Sequence, residues 1–334
     1  METDVTQIIR TSDRGYFKKC RQLWDFTSKI RQNYEPLQRA EYFEFGSAIH
    51  AGMEEYYDPA GWCVSIKAAE NRARQAFLDY ISKVEQVVKL GALEFEMEFK
   101  EARQLGLDIL ENYFLWAPKN DKFTPLYVEV EFSVEIPGLG VPYQGRVDLI
   151  IEDDFGYWIV DHKTAQQFGA VEWLWLDDQC SSYAWALKKM LGLEIRGVIY
   201  NQIRKKAPHP PNMLKNGGLS VAKNQDTTYE LYLKTLQDGG YKVSAYQDML
   251  DFLKTNPKEF IRRTRIQFTP KVLELVEKRV VAEAREMLGN PAIYPTPSPW
   301  NCNGCRFFQP CLAMHEGSDY QLILDQNFVR RSGE

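Results

Sequence analysis

Between residues 126 and 136 an apolar side chain falls on every second position, Leu126, Val128, Val130, Phe132, Val134 and Ile136, just before Pro137-Gly138. Side chains on a strand alternate between faces, so this spacing predicts a half-buried strand closed by a turn. Two further β-patterned runs follow, Gly145-Arg146-Val147-Asp148-Leu149-Ile150-Ile151 and Tyr157-Trp158-Ile159-Val160-Asp161-His162-Lys163, separated by the turn-rich Glu152-Asp153-Asp154-Phe155-Gly156. The three strands suit an antiparallel meander. Helical spacing then predicts an amphipathic helix over 172–191, followed by a fourth strand at 194–203. A helix between two strands carries the chain back to the starting end of the sheet, which makes the third and fourth strands parallel neighbours.

Upstream, helical patterns cover residues 4–31, with Thr11 or Ser12 beginning a second part, and 41–57, 64–89 and 92–116. The 41–57 pattern carries His50 and Glu54 one turn apart. Downstream, 204–225 reads as an exposed basic loop, followed by a mixed segment to 268 and a helix at 270–289. A proline-rich approach (Pro291, Pro295, Pro297, Pro299) then leads to clustered cysteines. The pattern is that of one α/β unit with a mixed central sheet flanked by helices.

Composition adds bounds to this picture. With 334 residues, 44% hydrophobic and 26% charged, the chain has the makeup of a folded globular protein. Its longest apolar stretches are too short to span a bilayer, and Met1-Glu2-Thr3-Asp4 does not resemble the start of a secretory signal. A cytoplasmic location without a membrane partner is therefore expected. A balance of 41 Lys+Arg against 46 Asp+Glu, net charge -5, argues against a protein that coats nucleic acid through overall charge. Local basic clusters can still bind it, and Arg204, Lys205 and Lys206, together with Arg262, Arg263 and Arg265, are the candidates.

The chemistry concentrates on the second and third strands. Asp161 and Lys163 project to the same face, roughly 7 Å apart along the strand. Such a pair at a strand end is ordinarily a surface ion pair. Asp148, however, sits within an apolar run, where an ionised carboxylate is costly unless it is paired or ligates a metal. Two carboxylates and an ammonium aimed at one place can hold a divalent cation and a water.

Six cysteines are unevenly placed, and Cys302, Cys305 and Cys311 form Cys-x2-Cys-x5-Cys. In a cytoplasmic chain clustered thiols are metal ligands rather than disulfides. Cys20 is the best candidate for a fourth ligand, whereas Cys63 and Cys180, in helix-patterned segments, read as small buried hydrophobes. Zinc and an iron–sulfur cluster both accept four thiolates. Shielding by Trp24, Trp300, Phe307 and Phe308, and the lack of a second Cys-x2-Cys, favour iron–sulfur over zinc.

The set Gly46-Ser47-Ala48-Ile49-His50, Gly145-Arg146-Val147-Asp148, Asp161-His162-Lys163 and Gln179-x3-Tyr183 resembles the PD-(D/E)XK nuclease superfamily in its RecB-like branch. The cysteine pattern resembles the iron–sulfur nucleases of that branch, the AddB-type helicase–nucleases and the small CRISPR-adaptation nucleases. The resemblance implies one nuclease domain with a restriction-endonuclease-like αβββαβ core at 40–203. That core would carry a helical insert at 58–120, with a further insertion at 204–268. Residues 1–35 would close on 290–315 through a 4Fe-4S cluster held by Cys20, Cys302, Cys305 and Cys311. Asp148, Asp161, Lys163, Gln179 and Tyr183 would be catalytic. Mg²⁺ or Mn²⁺ would be held by His50, Asp148, Asp161 and the backbone carbonyl of His162.

In this chain Asp stands where the family more often has Glu before x-Lys, and its length exceeds that of the small CRISPR nucleases, so a phage or mobile-element exonuclease fits as well. The expected reaction is hydrolysis of DNA phosphodiesters to a 5′-phosphate and a 3′-hydroxyl, in DNA processing, recombination or repair. A helicase, recombinase or integrase is the expected partner. The alternative is a catalytically silent subunit of the same fold that binds DNA or a helicase, and the intact set of acidic residues and Lys163 argues against it.

Overall fold

A computed structural model describes residues 7–37, 45–88 and 93–331. The chain opens with strand β1 (Ile9–Arg10), helices α1 (Thr11–Lys19) and α2 (Arg21–Thr27), and strand β2 (Tyr34–Pro36). Helices α3 (Phe45–Tyr57), α4 (Pro59–Trp62), α5 (Ile66–Val88) and α6 (Leu93–Asn120) lead into β3 (Thr124–Glu135), β4 (Pro142–Asp153) and β5 (Gly156–Ala165). A 3-10 turn (Val171–Trp175), α7 (Gln179–Leu191) and β6 (Ile195–Arg204) complete the helix, three-strand, helix, strand order read from the sequence. After α8 (Tyr229–Asp238), a 3-10 turn (Val243–Tyr246) and α9 (Gln247–Thr255) comes β7 (Ile261–Gln267). The chain ends with α10 (Pro270–Leu288), α11 (Pro299–Cys302), α12 (Phe308–Glu316), α13 (Tyr320–Asn327) and β8 (Phe328–Arg330).

The mixed α/β sheet pairs β3 with β4 and β4 with β5 antiparallel, β5 with β6 parallel, and β6 with β7 antiparallel. Along one edge of β4 runs β3. The other edge takes β1, in parallel, at Tyr143 and Gln144, and β5 from Leu149 onward. The β4–β5 ladder ends at the Leu149–Val160 pair, so Asp148 and Asp161 stand where the two strands part.

Alternation buries both faces of the sheet. The row Ile150, Ile159 and Val198 packs with Ala184 and Leu187 of α7 and Val280 and Ala284 of α10. The neighbouring row Leu149, Val160 and Ile199 packs with Ile49 and Met53 of α3, Phe77 of α5 and Leu110 of α6. Helix amphipathicity and strand period agree here. No helix among the described residues is long and apolar enough to cross a membrane.

Four expectations change. The 4–31 pattern, of which 4–6 lie outside the described residues, is not one helix. It opens with β1 and breaks at Cys20, whose extended backbone (φ −164°, ψ 119°) separates α1 from α2. The 172–191 helix begins only at Gln179, because Asp177 caps the backbone through a 2.9 Å bond from the Gln179 N–H to its Oδ1, after a separate 3-10 turn. β7 was hidden in the mixed segment, since Ile261 and Ile266 enclose a polar run that no period-two pattern reveals. Cys63 is exposed rather than a buried hydrophobe, while Cys180 is buried as expected. Of the 41–57 pattern, residues 41–44 lie outside the described residues, as do 89 and 92 of the next two.

Residues 204–268 are more than a loop. Leu219, Tyr232, Leu236, Met249, Leu250 and Leu253 form a small core of their own. At the other end of the molecule β2 pairs antiparallel with β8, and Leu23, Phe26, Tyr34, Phe307, Leu324 and Phe328 bury one another. The segments 23–36 and 307–330 are thus brought together by packing.

Candidate active site

Strand parity decides which way each residue of Asp161-His162-Lys163 points. Asp161 follows the parity of Ile159 and lies on the α7 face with Lys163, whereas His162 follows Val160 onto the α3 and α6 face. The parting of β4 from β5 exposes Asp148 to both groups. Its Oδ2 accepts the His162 backbone N–H at 2.9 Å and lies 3.6 Å from His50 Nδ1 on α3. The structure therefore brings His50, Asp148, Asp161 and Lys163 to one place.

Asp161 is 3% exposed, and its Oδ1 accepts a 3.0 Å hydrogen bond from Lys163 Nζ. Its Oδ2 is shielded from solvent and ion-paired with the same Nζ at 3.0 Å. Burial pushes the Asp161 carboxyl up to about 7, with Lys163 pulling it down and Asp148 pushing it further up. Burial opposes charge on Lys163 as well, but Asp161 outweighs it and holds the ammonium's pKa above its usual value. The lysine therefore stays cationic.

Gln179 opens α7 and donates from Nε2 to the Tyr183 hydroxyl at 2.6 Å, one turn along the same helix face. Tyr183 is nearly buried, and its ring meets Phe132 edge-on at 5.5 Å.

His162 is buried, and burial together with the neighbouring His50 pushes its imidazole well below the usual range, so it is neutral. Its Nδ1 lies 2.8 Å from Asn201 Nδ2, while Asn201 Oδ1 accepts from Arg263 Nε at 3.0 Å. The guanidinium fixes the amide's orientation, so Nδ2 donates and the His162 proton sits on Nε2. Arg263 also donates to the hydroxyls of Tyr57 (2.9 Å) and Tyr113 (3.0 Å) and pairs with Asp121 at 2.6 Å. The ring of Tyr57 stacks on His162, and the His50 ring meets it edge-on, both at 5.9 Å. Sequence reasoning missed this network, because its members come from five separate elements with no shared motif.

Arg263 is thereby removed from the basic cluster proposed to contact nucleic acid. A strand alternates its side chains, so the run on β7 divides between two faces: Arg262 pairs with Glu259, and Arg265 pairs with Asp153 at 2.8 Å. The backbone of Arg204 and Lys205 adjoins Ala165, two residues beyond Lys163, and the Arg204 guanidinium lies over the Phe260 ring. Lys206 is engaged by Asp226.

The sequence also left a groove unannounced. A cavity of about 1130 Å³ runs from Asp148, Gln179 and Tyr183 along β1 and α1, where Arg10, Lys18 and Lys19 line it. Gly145 permits this approach, since a Cβ there would stand 2.4 Å from Thr11 Oγ1. Glu129 on β3, with a left-handed backbone (φ 48°), adds a further carboxylate beside Asp148. Burial pushes it up to about 7 against the pull of Arg146, whose Nε lies 2.6 Å from it.

The four predicted cysteine ligands line one apolar cavity of about 200 Å³ with Leu23, Phe26 and Phe307. None of the four is in a disulfide, and the Thr296 N–H donates to Cys20 Sγ at 3.4 Å. Burial pushes the Cys305 and Cys311 thiols up, with further contributions from Cys20 and Cys302. Phe307 is buried between Phe26 and Phe328 and Phe308 lines the same cavity, but the two tryptophans differ: Trp24 packs against Phe17 in the sheet core and Trp300 is 90% exposed.

Among the described residues no three His, Cys, Asp or Glu side chains already converge at metal-binding spacing. The residues nevertheless fit a hard divalent cation, because the Asp148 and Asp161 carboxylates and the His50 imidazole gather at one place, an oxygen-rich donor set with one imidazole.

A family model described as the PD-(D/E)XK nuclease superfamily matches residues 15–311. The chain is also similar to the crystal structure of a protein from Eubacterium rectale, provisionally named an exonuclease. Identity is 12%, the TM-score is 0.43, and the match covers 90% of this chain and 88% of that one. No curated protein matches the sequence.

Proposed function

Because this chain belongs to the PD-(D/E)XK nuclease superfamily, we propose that it is a Mg²⁺- or Mn²⁺-dependent DNA exonuclease of the RecB-like branch. The reading rests above all on one observation: Asp148 bonds the His162 N–H where β4 and β5 part, beside the Asp161–Lys163 pair at the end of a cation-lined groove. Nucleases of this superfamily generally use divalent metal ions. His50, Asp148, Asp161 and the His162 carbonyl would hold the cation, which when bound neutralises phosphate charge and acidifies water.

This chain's own groups supply the rest. The Lys163 ammonium, kept charged by Asp161, orients the attacking water and offsets negative charge developing on the phosphate. Gln179, oriented by Tyr183, contacts the phosphate backbone at the groove wall. Cleavage leaves a 5′-phosphate and a 3′-hydroxyl. The four cysteines hold a 4Fe-4S cluster that ties α1 and α2 to the C-terminal segment, a reading supported by their shared apolar cavity. We place the activity in phage or mobile-element DNA processing, recombination or repair, alongside a helicase, recombinase or integrase.

End-labelled single- and double-stranded DNA incubated with Mg²⁺ or Mn²⁺ tests the activity. Stepwise shortening with 5′-phosphate products supports it, and intact DNA from folded protein rejects it. Visible absorption and iron content of protein purified without oxygen test the cluster separately.

A further inference from the structure

The segment joining β5 to α7 is anchored at both ends in the candidate site, since Lys163 lies near the end of β5 and Gln179 begins α7. Between them, the 3-10 turn presents Trp173 at 72%, Trp175 at 61% and Leu176 at 72% exposure. Three large apolar side chains in four residues, turned to solvent, are costly unless something covers them. The turn is not loosely held: Leu174, between the two tryptophans, packs into the sheet core. Arg262 stacks on Phe168 (4.7 Å) and donates to the Gly169 carbonyl (3.4 Å), while Glu259 holds its guanidinium. The tryptophans are thus displayed from a fixed support.

We propose that Trp173 and Trp175 form a stacking platform for unpaired nucleic-acid bases, which makes single-stranded ends the preferred substrate. This rests on the nuclease reading above. Trp175 is four residues from Gln179, a reach of no more than about 14 Å from the groove wall. Along the groove, β1 and α1 supply Arg10 and Lys19, while Lys18 is paired with Asp178 at 2.7 Å beside Gln179. The turn's own charged neighbours, Glu172 and Asp177, are acidic and offer phosphate nothing. A strand held by its phosphates at Arg10 and Lys19 brings the bases near Gln179 within reach of the indoles. Indole faces stack on any base, so the platform is indifferent to sequence but needs bases freed from a duplex.

The test compares wild type with W173A/W175A and W173F/W175F. Thermal unfolding establishes that each is folded. Binding of a labelled single strand, the same strand with abasic sites and a duplex is read by anisotropy in EDTA. Hydrolysis of the single strand is read with Mn²⁺. Relative to wild type, the Ala pair should bind single strands about tenfold or more weakly, with KM raised in proportion and kcat within twofold. The Phe pair should restore most of the loss, and abasic sites should abolish the difference between wild type and the Ala pair. Unchanged single-strand binding and KM in the Ala pair overturns the proposal and marks the turn as a protein-docking surface. An equal loss on duplex and abasic DNA also overturns it. Absence of hydrolysis by folded wild type instead overturns the nuclease reading, while the anisotropy comparison still decides the role of the tryptophans.

Discussion

The Asp148 carboxylate accepts the His162 backbone N–H at 2.9 Å just beyond the last β4–β5 pair, Leu149–Val160. A side chain there replaces the ladder hydrogen bond that the parting strands no longer make. One residue thus both stabilises the opening of the sheet and presents its charge there.

Replacing Asp148 should separate those roles. In Asp148→Ala the loss of one hydrogen bond costs about 1 kcal/mol of stability, whereas hydrolysis should fall by at least about a thousandfold. Denaturant unfolding and single-turnover kinetics on the same samples measure both. A collapse in stability with retained specific activity would place Asp148 in the framework alone.

The pH dependence has a definite sign. A buried carboxyl raised to about 7 contributes stability that is fully present below its unfolded value near 4 and is lost as pH rises through 7. In metal-free protein, Asp161→Asn should therefore raise Tm relative to wild type at pH 8 and lose that advantage by pH 4. Mn²⁺ must displace the Asp161 proton below pH 7, so wild-type affinity should fall up to tenfold per pH unit there. Calorimetry in buffers of different ionisation enthalpy detects the released proton.

Arg263 is predicted to act through folding rather than through DNA. Its guanidinium holds Asp121, Tyr57, Tyr113 and Asn201, so Arg263→Met leaves buried groups unpaired and should cost about 3 kcal/mol. The salt dependence of DNA binding should not change.

The groove cations Arg10 of β1 and Lys19 of α1 should behave in the opposite way. Lys19→Ala and Arg10→Ala, both on the groove wall, are expected to leave Tm within a few degrees and lower the slope of log K against log salt by about one each. Titrations across salt concentrations distinguish them from Arg263→Met.

Much of the core is legible because period-two and helical patterns coincide with burial along β4, β5, α7 and β6, and because Asp148 interrupts an apolar strand. The basic run at 262–265 misled because charge on a strand divides between faces, and the partners of Arg263 come from α3, α6 and β6. The groove was invisible for a related reason: β1 pairs with β4 across more than a hundred residues, and nothing local in Ile9-Arg10 announces it. The aromatic turn was absorbed into a longer helix because Trp173, Leu174 and Leu176 mimic helical spacing until Asp177 caps the next helix.

The central claim is that Asp148 and Asp161 hold a divalent cation for phosphodiester hydrolysis, and Mn²⁺ titration of wild type and Asp161→Asn at pH 8, with DNA cleavage measured on the same protein, tests it most directly. Saturable Mn²⁺ binding that tracks cleavage in wild type, with both lost in a folded Asp161→Asn variant, is the predicted result. Equal Mn²⁺ affinity and equal cleavage in the two proteins would contradict it.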